Sequence, residues 1–233
     1  MQLVERRVVP EERLRHLVPN LRGLERALEV GVDKVAVFTS ATEGFARANV
    51  NGSIAETIER FLPVVAGAHA AELPVRGYVS CVIACPYEGE TDPVQVRAVC
   101  EQLLEVGVDE IDLGDTIGKA TPESIERLLL ALEGVLAPDA LVLHLHDTAG
   151  TAVSCARRAL ELGVRRFDAS CGGLGGCPFA PGSPGNLATE ALLALCEEAG
   201  YRTGIVRSEV DRASRAITSI LERTRGACRN PEG

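Results

Sequence analysis

The sequence contains no tryptophan, one methionine and only 3% aromatic residues. Large rings therefore cannot dominate the interior, although 46% of the residues are hydrophobic. A chain of 233 residues is long enough to enclose one substantial core. This composition is typical of a globular domain whose core is aliphatic.

Positive charge is also scarce, because the formal net charge is −9. A nucleic-acid surface needs a basic stripe, so this balance argues against DNA or RNA as a partner. A local cluster of arginines could still bind a small anionic substrate. No run approaches the ~18–20 apolar residues of a membrane span, so a membrane partner is not expected either.

The first seventeen residues lack the apolar stretch of a secretory signal, and Pro10 interrupts them. Glu5, Glu11 and Glu12 argue against a mitochondrial transit peptide. A chain of this size and composition does not depend on disulfides. We therefore expect a cytoplasmic protein whose eight cysteines are reduced and mostly buried as small hydrophobic residues.

One pattern recurs as "ALEVGVDKV", "LLEVGVDEI" and "ALELGVRRF". Each segment combines the end of an amphipathic helix, a glycine and the start of an apolar strand. Gly31, Gly107 and Gly163 stand where a helix ends in the left-handed conformation. The apolar runs that follow are typical of parallel strands buried on both faces.

The pattern extends to six strand–helix units in a single domain, with the units over residues 16–200 and a helical tail over residues 201–233. Strands are predicted near residues 15–19, 33–40, 75–83, 108–114, 140–146 and 164–170. Helices are predicted near residues 21–30, 53–71, 93–106, 122–135, 151–162, 187–199 and 208–224.

Alternating strands and helices indicate an α/β fold with a parallel sheet. The sequence has no glycine-rich nucleotide loop after its first strands, which disfavours a dinucleotide-binding fold. Polar residues instead gather at the carboxyl ends of several strands, as at the active-site face of a (β/α)8 TIM barrel. We therefore predict an incomplete TIM barrel with six recognisable units. These polar residues are Asn20, Asp115, His146, Asp147 and Asp168.

The segment "LVLHLHDTAG" places His144 and His146 two residues apart on a predicted strand. A period of two sends both imidazoles to one face, where they could form half of a metal site. The alternative is two core histidines, each satisfied by a carboxyl or carbonyl group.

Three further polar residues have both a structural and a functional interpretation. Asp115 precedes Gly118, so it could form a turn or reach the mouth of the barrel beside the histidines. Asn186 could cap the next helix or bind a hard cation through its amide oxygen. Glu190 lies one turn into that helix and could face the same mouth.

The segment from Ser170 to Asn186 contains six glycines, three prolines and two cysteines. No helix or strand tolerates so many breakers. Cys177 lies between Gly176 and Pro178, unlike a structural cysteine in an apolar run. It could act as a proton carrier on a mobile lid, whereas a disulfide with Cys171 is the competing interpretation.

Together these segments resemble the hydroxymethylglutaryl-CoA lyase family, which belongs to a superfamily of metal-dependent TIM-barrel lyases and acyltransferases. "GLGGCPFAPGSPGN" resembles the signature loop of the family. "VPNLRGLERAL", "YVSCVIACPYEG", "LGDTIG" and "HLHDTAG" resemble further family segments in the same order. The resemblance runs from about Leu17 to Val206 and leaves residues 1–15 unmatched.

The resemblance implies a divalent cation, Mg²⁺ or Mn²⁺, held by His144, His146 and Asn186. It implies catalytic roles for Cys177, Asp115, Glu190 and the metal-bound His144. The implied reaction is a retro-Claisen cleavage of an acyl-CoA substrate. Hydroxymethylglutaryl-CoA would yield acetoacetate and acetyl-CoA, as in leucine degradation and ketone-body metabolism.

The sequence lacks the Arg-Asp-Gly motif with which the family's first strand supplies a metal ligand and a substrate-binding arginine. The resemblance therefore implies strands three to eight of the barrel. Sheet edges exposed by such an arrangement favour a homo-oligomer or self-association, and the missing groups favour low activity. The alternatives are a related Claisen-type synthase or aldolase, and an inactive remnant.

Overall fold

A computed structural model of the chain describes residues 15–175 and 185–228. Its centre is one curled, parallel, six-stranded sheet, in which spatial order follows chain order. In that order the strands are β1 (Arg15–Leu17), β2 (Lys34–Ser40), β3 (Val75–Ser80), β6 (Glu110–Asp115), β7 (Val142–Leu145) and β8 (Arg166–Asp168). The remaining two strands, β4 (Ala84–Cys85) and β5 (Gly89–Glu90), form a short antiparallel hairpin.

Helices cover the outside of this half-barrel. They are α1 (Leu21–Val30), α2 (Glu43–Val50), α3 (Ile54–Ala70), α4 (Pro93–Val106), α5 (Pro122–Ala131), α6 (Ala152–Glu161), α7 (Thr189–Glu198) and α8 (Arg207–Cys228). The six predicted strand–helix units are confirmed. The sequence pattern missed α2 and the hairpin, since both are short and α2 contributes only Phe45 and Ala46 to the interior.

The predicted helix ends have the expected geometry. Gly31, Gly107 and Gly163 all have positive φ angles, of 70°, 96° and 101°. At the start of α5 the side chain of Thr121 accepts a hydrogen bond from the backbone of Ser124 at 3.2 Å. These local signals fix where each helix stops and the next strand begins.

The two faces of the sheet differ in chemistry. The outer face packs aliphatic side chains against the helices, and each large one contributes roughly 1.5–3 kcal/mol when fully buried. The inner face carries polar and charged side chains instead, but Arg76, Glu110 and Asp112 on it are buried, so β6 is buried on both faces as expected. Buried residues of the outer face include Val35, Val37, Val75, Val79, Ile111, Leu113, Leu143 and Leu145.

The inner face is held together by ion pairs centred on Arg76, which is only 4% exposed. Its Nε donates to Glu110 Oε2 at 2.5 Å. Its Nη1 lies 3.1 Å from Asp112 Oδ2 and 3.0 Å from Asp168 Oδ1. Glu110 is also bound by Lys34 at 2.9 Å. Arg76 and Glu110 can be buried as ions here because each faces an opposite charge.

Burial and the neighbouring charge of Asp168 raise the pKa of Asp112 to about 9. For Glu110 burial acts in the same direction, but hydrogen bonds from Arg76 and Lys34 outweigh it and lower the pKa to about 2. Two carboxyl groups on the same guanidinium therefore have opposite protonation states at neutral pH.

Most cysteines are buried small residues, as expected. Among the cysteines whose side chains the structure describes, five are buried with free thiols, and Cys171 is half-buried. Cys177 lies outside the described residues, so its proposed disulfide with Cys171 stays untested. Within those same residues, no helix is long and apolar enough to cross a membrane.

The ion pairs predict an acid-sensitive fold. The pKa of Glu110 is depressed from 4.5 to about 2, so its stabilisation is present above pH 4.5 and is lost as the pH falls towards 2. A shift of this size corresponds to roughly 3 kcal/mol. In urea unfolding between pH 7 and pH 2, Glu110→Gln should therefore lose less stability on acidification than the wild type.

The matched control is Glu101→Gln, which removes a half-exposed ion pair with Arg97. This pair should contribute little, so the control should follow the wild-type pH profile. If Glu110→Gln lost as much stability on acidification as the wild type, this would contradict the stabilising role of ionised Glu110.

Candidate active site

The predicted histidine pair lies at the carboxyl end of β7 on the inner face. Both rings line one cavity of about 440 Å³, and their centroids are 5.1 Å apart. The cavity is also bounded by Tyr78, Ser80 and Gly114 on the two preceding strands of the sheet. The prediction that the two imidazoles share a face towards the barrel mouth is confirmed.

Asn186 does not cap the following helix, because α7 begins at Thr189 with Ala188 as its N-cap residue. Its backbone instead forms an isolated antiparallel bridge with His146. Its side-chain Nδ2 donates to the carbonyl of Leu174 at 2.9 Å. This contact turns Oδ1 towards His144, whose Nε2 lies 3.0 Å away. The structure therefore brings the three predicted metal ligands together.

The arrangement of these donors suits a cation. Nδ1 of His146 donates to the backbone carbonyl of Asp115 at 2.9 Å, which leaves Nε2 with its lone pair. Burial lowers the pKa of His146, so its ring is neutral at pH 7, as metal binding requires. Two ligands at right angles around a cation with ~2.1 Å bonds lie about 3.0 Å apart. This matches the 3.0 Å between His144 Nε2 and Asn186 Oδ1.

A second set of candidate ligands shares one of these histidines. Ligand atoms of Asp112, His144 and Asp168 lie within 4.8 Å of one another. The guanidinium of Arg76 already lies 3.0 Å from the carboxylate of Asp168 and 3.1 Å from the carboxyl group of Asp112, which is protonated at neutral pH. A divalent cation among these three groups would face that guanidinium, so the position between His144 and Asn186 fits a metal better.

The cluster of Arg76 with Glu110, Asp112 and Asp168 was not predicted from the sequence, apart from the position of Asp168 at a strand end. The signal was present as polar residues at alternate positions: Arg76 and Tyr78 in β3, and Glu110 and Asp112 in β6. A period of two places each pair on one face.

Asp115 adopts the turn-forming role that its sequence context allowed. Its carboxylate accepts backbone N–H groups of Lys119 at 3.0 Å and Ala120 at 2.9 Å. Gly118 has a φ of +63°, and a Cβ there would lie 2.5 Å from Thr148 Oγ1. Burial raises the pKa of Asp115, although the backbone donors oppose this effect. Its predicted catalytic role stays a prediction.

Glu190 connects the turn after β8 to α8. Its carboxylate accepts the backbone N–H of Gly172 at 3.0 Å and the hydroxyl of Ser214. Burial alone would raise its pKa, but these hydrogen bonds lower it, so the group stays ionised at neutral pH. A catalytic role for Glu190 likewise stays a prediction.

The predicted cysteine loop is described only at its ends, and Cys177 lies outside the described residues. At those ends the glycines serve close packing and unusual backbone angles. A Cβ on Gly185 would lie 2.0 Å from the carbonyl oxygen of Gly175 and 2.1 Å from that of Gly173. Gly173 and Gly175 also have positive φ angles. Glycine is thus required here to bring the loop ends beside Asn186.

Known proteins share much of this sequence. The sequence profile of the HMGL-like family matches residues 6–217, beyond both ends of the Leu17–Val206 resemblance. The chain is 49% identical to hydroxymethylglutaryl-CoA lyase of Pseudomonas mevalonii, over 88% of this chain and 68% of that protein. It is 44% identical to a cytoplasmic 3-hydroxy-3-methylglutaryl-CoA lyase of Danio rerio, over 92% of this chain and 64% of that protein. The chain thus spans about two thirds of these relatives.

Solved structures give the same result. The HMG-CoA lyase of Brucella melitensis superposes with a TM-score of 0.86 at 46% identity, covering 88% of this chain and 73% of that one. An HMG-CoA lyase of Acinetobacter baumannii in complex with coenzyme A and 3-methylmalate gives a TM-score of 0.83 at 35% identity, covering 89% and 68%. These neighbours are TIM barrels, and the six-stranded sheet follows their fold as a half-barrel. The chain therefore belongs to the HMGL-like family.

Proposed function

We propose that this protein cleaves hydroxymethylglutaryl-CoA into acetoacetate and acetyl-CoA. The observation that carries this proposal is the convergence of His144, His146 and Asn186 at one cavity, in a chain whose relatives are lyases. The names of these relatives do not favour the alternative of a Claisen-type synthase or aldolase.

We infer that His144, His146 and Asn186 hold a divalent cation. When bound, the cation would polarise the hydroxyl and a carboxylate of the substrate. Imidazole ligands suit Mn²⁺ better than the oxygen-seeking Mg²⁺, so Mn²⁺ is the more sensitive probe. Neutral His146 and the fixed amide of Asn186 present their donor atoms without prior reorganisation.

The chain's acids and bases would move two protons. Asp115 and the His144 region are the candidate acceptors for the proton of the tertiary hydroxyl. Loss of that proton breaks the C–C bond, acetoacetate leaves, and the remaining acetyl-CoA carbanion must be protonated. Cys177 is the candidate donor for this step. Glu190 would hold the turn at Gly172 that begins the cysteine loop.

The partners follow from this chemistry. We propose an acyl-CoA substrate, as the coenzyme A bound to one homologous structure supports. We propose a cytoplasmic location, which a cytoplasmic relative supports. Self-association is proposed because, among the described residues, β1 and β8 each pair on one side only, and Leu17 at the β1 edge is 56% exposed.

The first prediction concerns metal binding. His146→Ala should weaken Mn²⁺ binding by at least ~10-fold, because even changes outside the ligand set cost about 10–100-fold. Isothermal titration of the metal-free chain measures the affinity. The matched control is His69→Ala, an exposed histidine paired with Asp109, which should bind Mn²⁺ like the wild type. Equal affinities in all three proteins would contradict the site.

The second prediction concerns Cys177. Cys177→Ala should lower acetoacetate release by about 10²–10⁴-fold, the usual contribution of a positioned proton donor. The free energy of unfolding should stay unchanged, since a loop thiol contributes little to packing. Cys196→Ala, which alters a buried thiol in α7, is the control and should retain turnover. Undiminished release by Cys177→Ala would exclude this residue as the donor.

The third prediction concerns association. Sedimentation velocity over a range of chain concentrations should show species larger than the monomer, because unpaired strand edges favour pairing with another copy. Leu17→Lys places a charge on the exposed edge and should shift the distribution towards monomer. A concentration-independent monomer for the wild type would disprove this part of the proposal.

A further inference from the structure

A second cavity, of about 450 Å³, lies where the strands of the inner face begin, whereas the histidine pair lies where β7 ends. Arginines from three strands border it, namely Arg15 of β1, Arg76 of β3 and Arg166 of β8. Each stands at the first or second position of its strand. A chain with a net charge of −9 therefore gathers positive charge at one place.

Two carboxylates also border this cavity, and cations already surround both of them. Glu110 lies 2.9 Å from Nζ of Lys34, 2.5 Å from Nε of Arg76 and 3.0 Å from Nη1 of Arg166. Asp168 lies 3.0 Å from Nη1 of Arg76. These ion pairs offset the negative charge that would otherwise repel an anion from the cavity.

A positive excess remains after these pairs are formed. Arg15, Lys34, Arg76 and Arg166 supply four positive charges, and the three carboxyl groups that pair with them can supply at most three negative ones. Among the described residues, exposed Arg15 forms no hydrogen bond or ion pair. Its guanidinium therefore carries a charge that no carboxylate of the cluster matches.

The other arginines also keep donors in reserve, because a guanidinium has five N–H groups. Arg166 uses only Nη1, for one carboxylate. Arg76 is 4% exposed and uses Nε and Nη1, so within the described part of the chain its Nη2 makes no hydrogen bond. Arg165 borders the cavity too, but its Nη1 donates to the carbonyls of Leu160 and Val164, so it is not counted with the cluster.

We propose that this cavity binds a phosphate group through Arg15, Arg76 and Arg166. A planar guanidinium donates two parallel N–H bonds to phosphate or carboxylate oxygens. Three guanidinium groups around one cavity favour a dianionic phosphate over a monocarboxylate. Inorganic phosphate and a phosphomonoester both offer this group, and the volume leaves room for an organic part. The site is separate from the metal ligands and does not depend on lyase activity.

The test is isothermal titration of the metal-free chain with inorganic phosphate, in about 0.15 M NaCl to screen scattered surface charges. The wild type should show saturable binding at one site. Arg15→Gln should weaken it by at least ~10-fold, the usual effect of losing a charge-assisted hydrogen bond. Since Arg15 makes no contact of this kind in the described chain, its loss should leave the fold intact.

Two further variants locate the site. Arg15 also borders the cavity of the histidines, whereas Arg166 borders only the second one, so Arg166→Gln should weaken binding by a similar factor. The matched control is Arg127→Gln, which removes the same charge from an exposed ion pair with Glu90 and should bind phosphate like the wild type. Equal losses in all three variants would indicate an adventitious ion only and overturn the proposal, as would unchanged affinity in Arg166→Gln.

Titrations with glycerol 2-phosphate and acetate identify the ligand. Tighter binding of glycerol 2-phosphate than of phosphate supports a phosphomonoester as the ligand, and weaker binding supports inorganic phosphate. In both cases the affinity should fall in Arg15→Gln. Acetate bound as tightly as phosphate, or no saturable binding of either phosphate compound by the wild type, would overturn the proposal. Because no arm uses metal or turnover, the result is independent of the proposed lyase function.

Discussion

The buried guanidinium of Arg76 is the interaction on which the inner face of the half-barrel depends. It contacts carboxyl groups of β6 and β8, so one side chain ties three strands of the sheet together. Removing it would leave the carboxylate of Asp168 without its guanidinium partner, and breaking a buried ion pair in this way is strongly destabilising. These ion pairs also constrain the mouth of the barrel, because Asp168 contacts both Arg76 and His144.

The site depends on the same strands for its geometry. Parallel pairing sets Gly114 beside His144 and His144 beside Asp168. This register brings the imidazoles, the carboxylate and the cavity to one edge of the sheet. Asn186 arrives from a separate segment, and Gly185 lets its backbone approach the loop ends closely. Strand register therefore positions the two histidines, and a glycine-dependent contact of the loop ends positions Asn186.

Much of the fold was predictable, because its signals are local. The glycines after α1 and α4 and the cap at Thr121 fix element ends wherever they occur. His144 and His146 were predictable as a pair from their spacing. The ion-pair cluster was not, because it joins residues from β3, β6 and β8 that are far apart in the chain. The position of Asn186 also depended on tertiary contacts, since its sequence context favoured a helix cap that the structure does not contain.

The central claim is that this chain contains a metal-dependent lyase site. The most direct measurement is acetoacetate release from hydroxymethylglutaryl-CoA by the metal-stripped chain, before and after addition of Mn²⁺. We predict no release without the metal and measurable release with it, together with an equal amount of acetyl-CoA. Release that is the same with and without Mn²⁺ would contradict the metal site, and no release under either condition would contradict the proposed function.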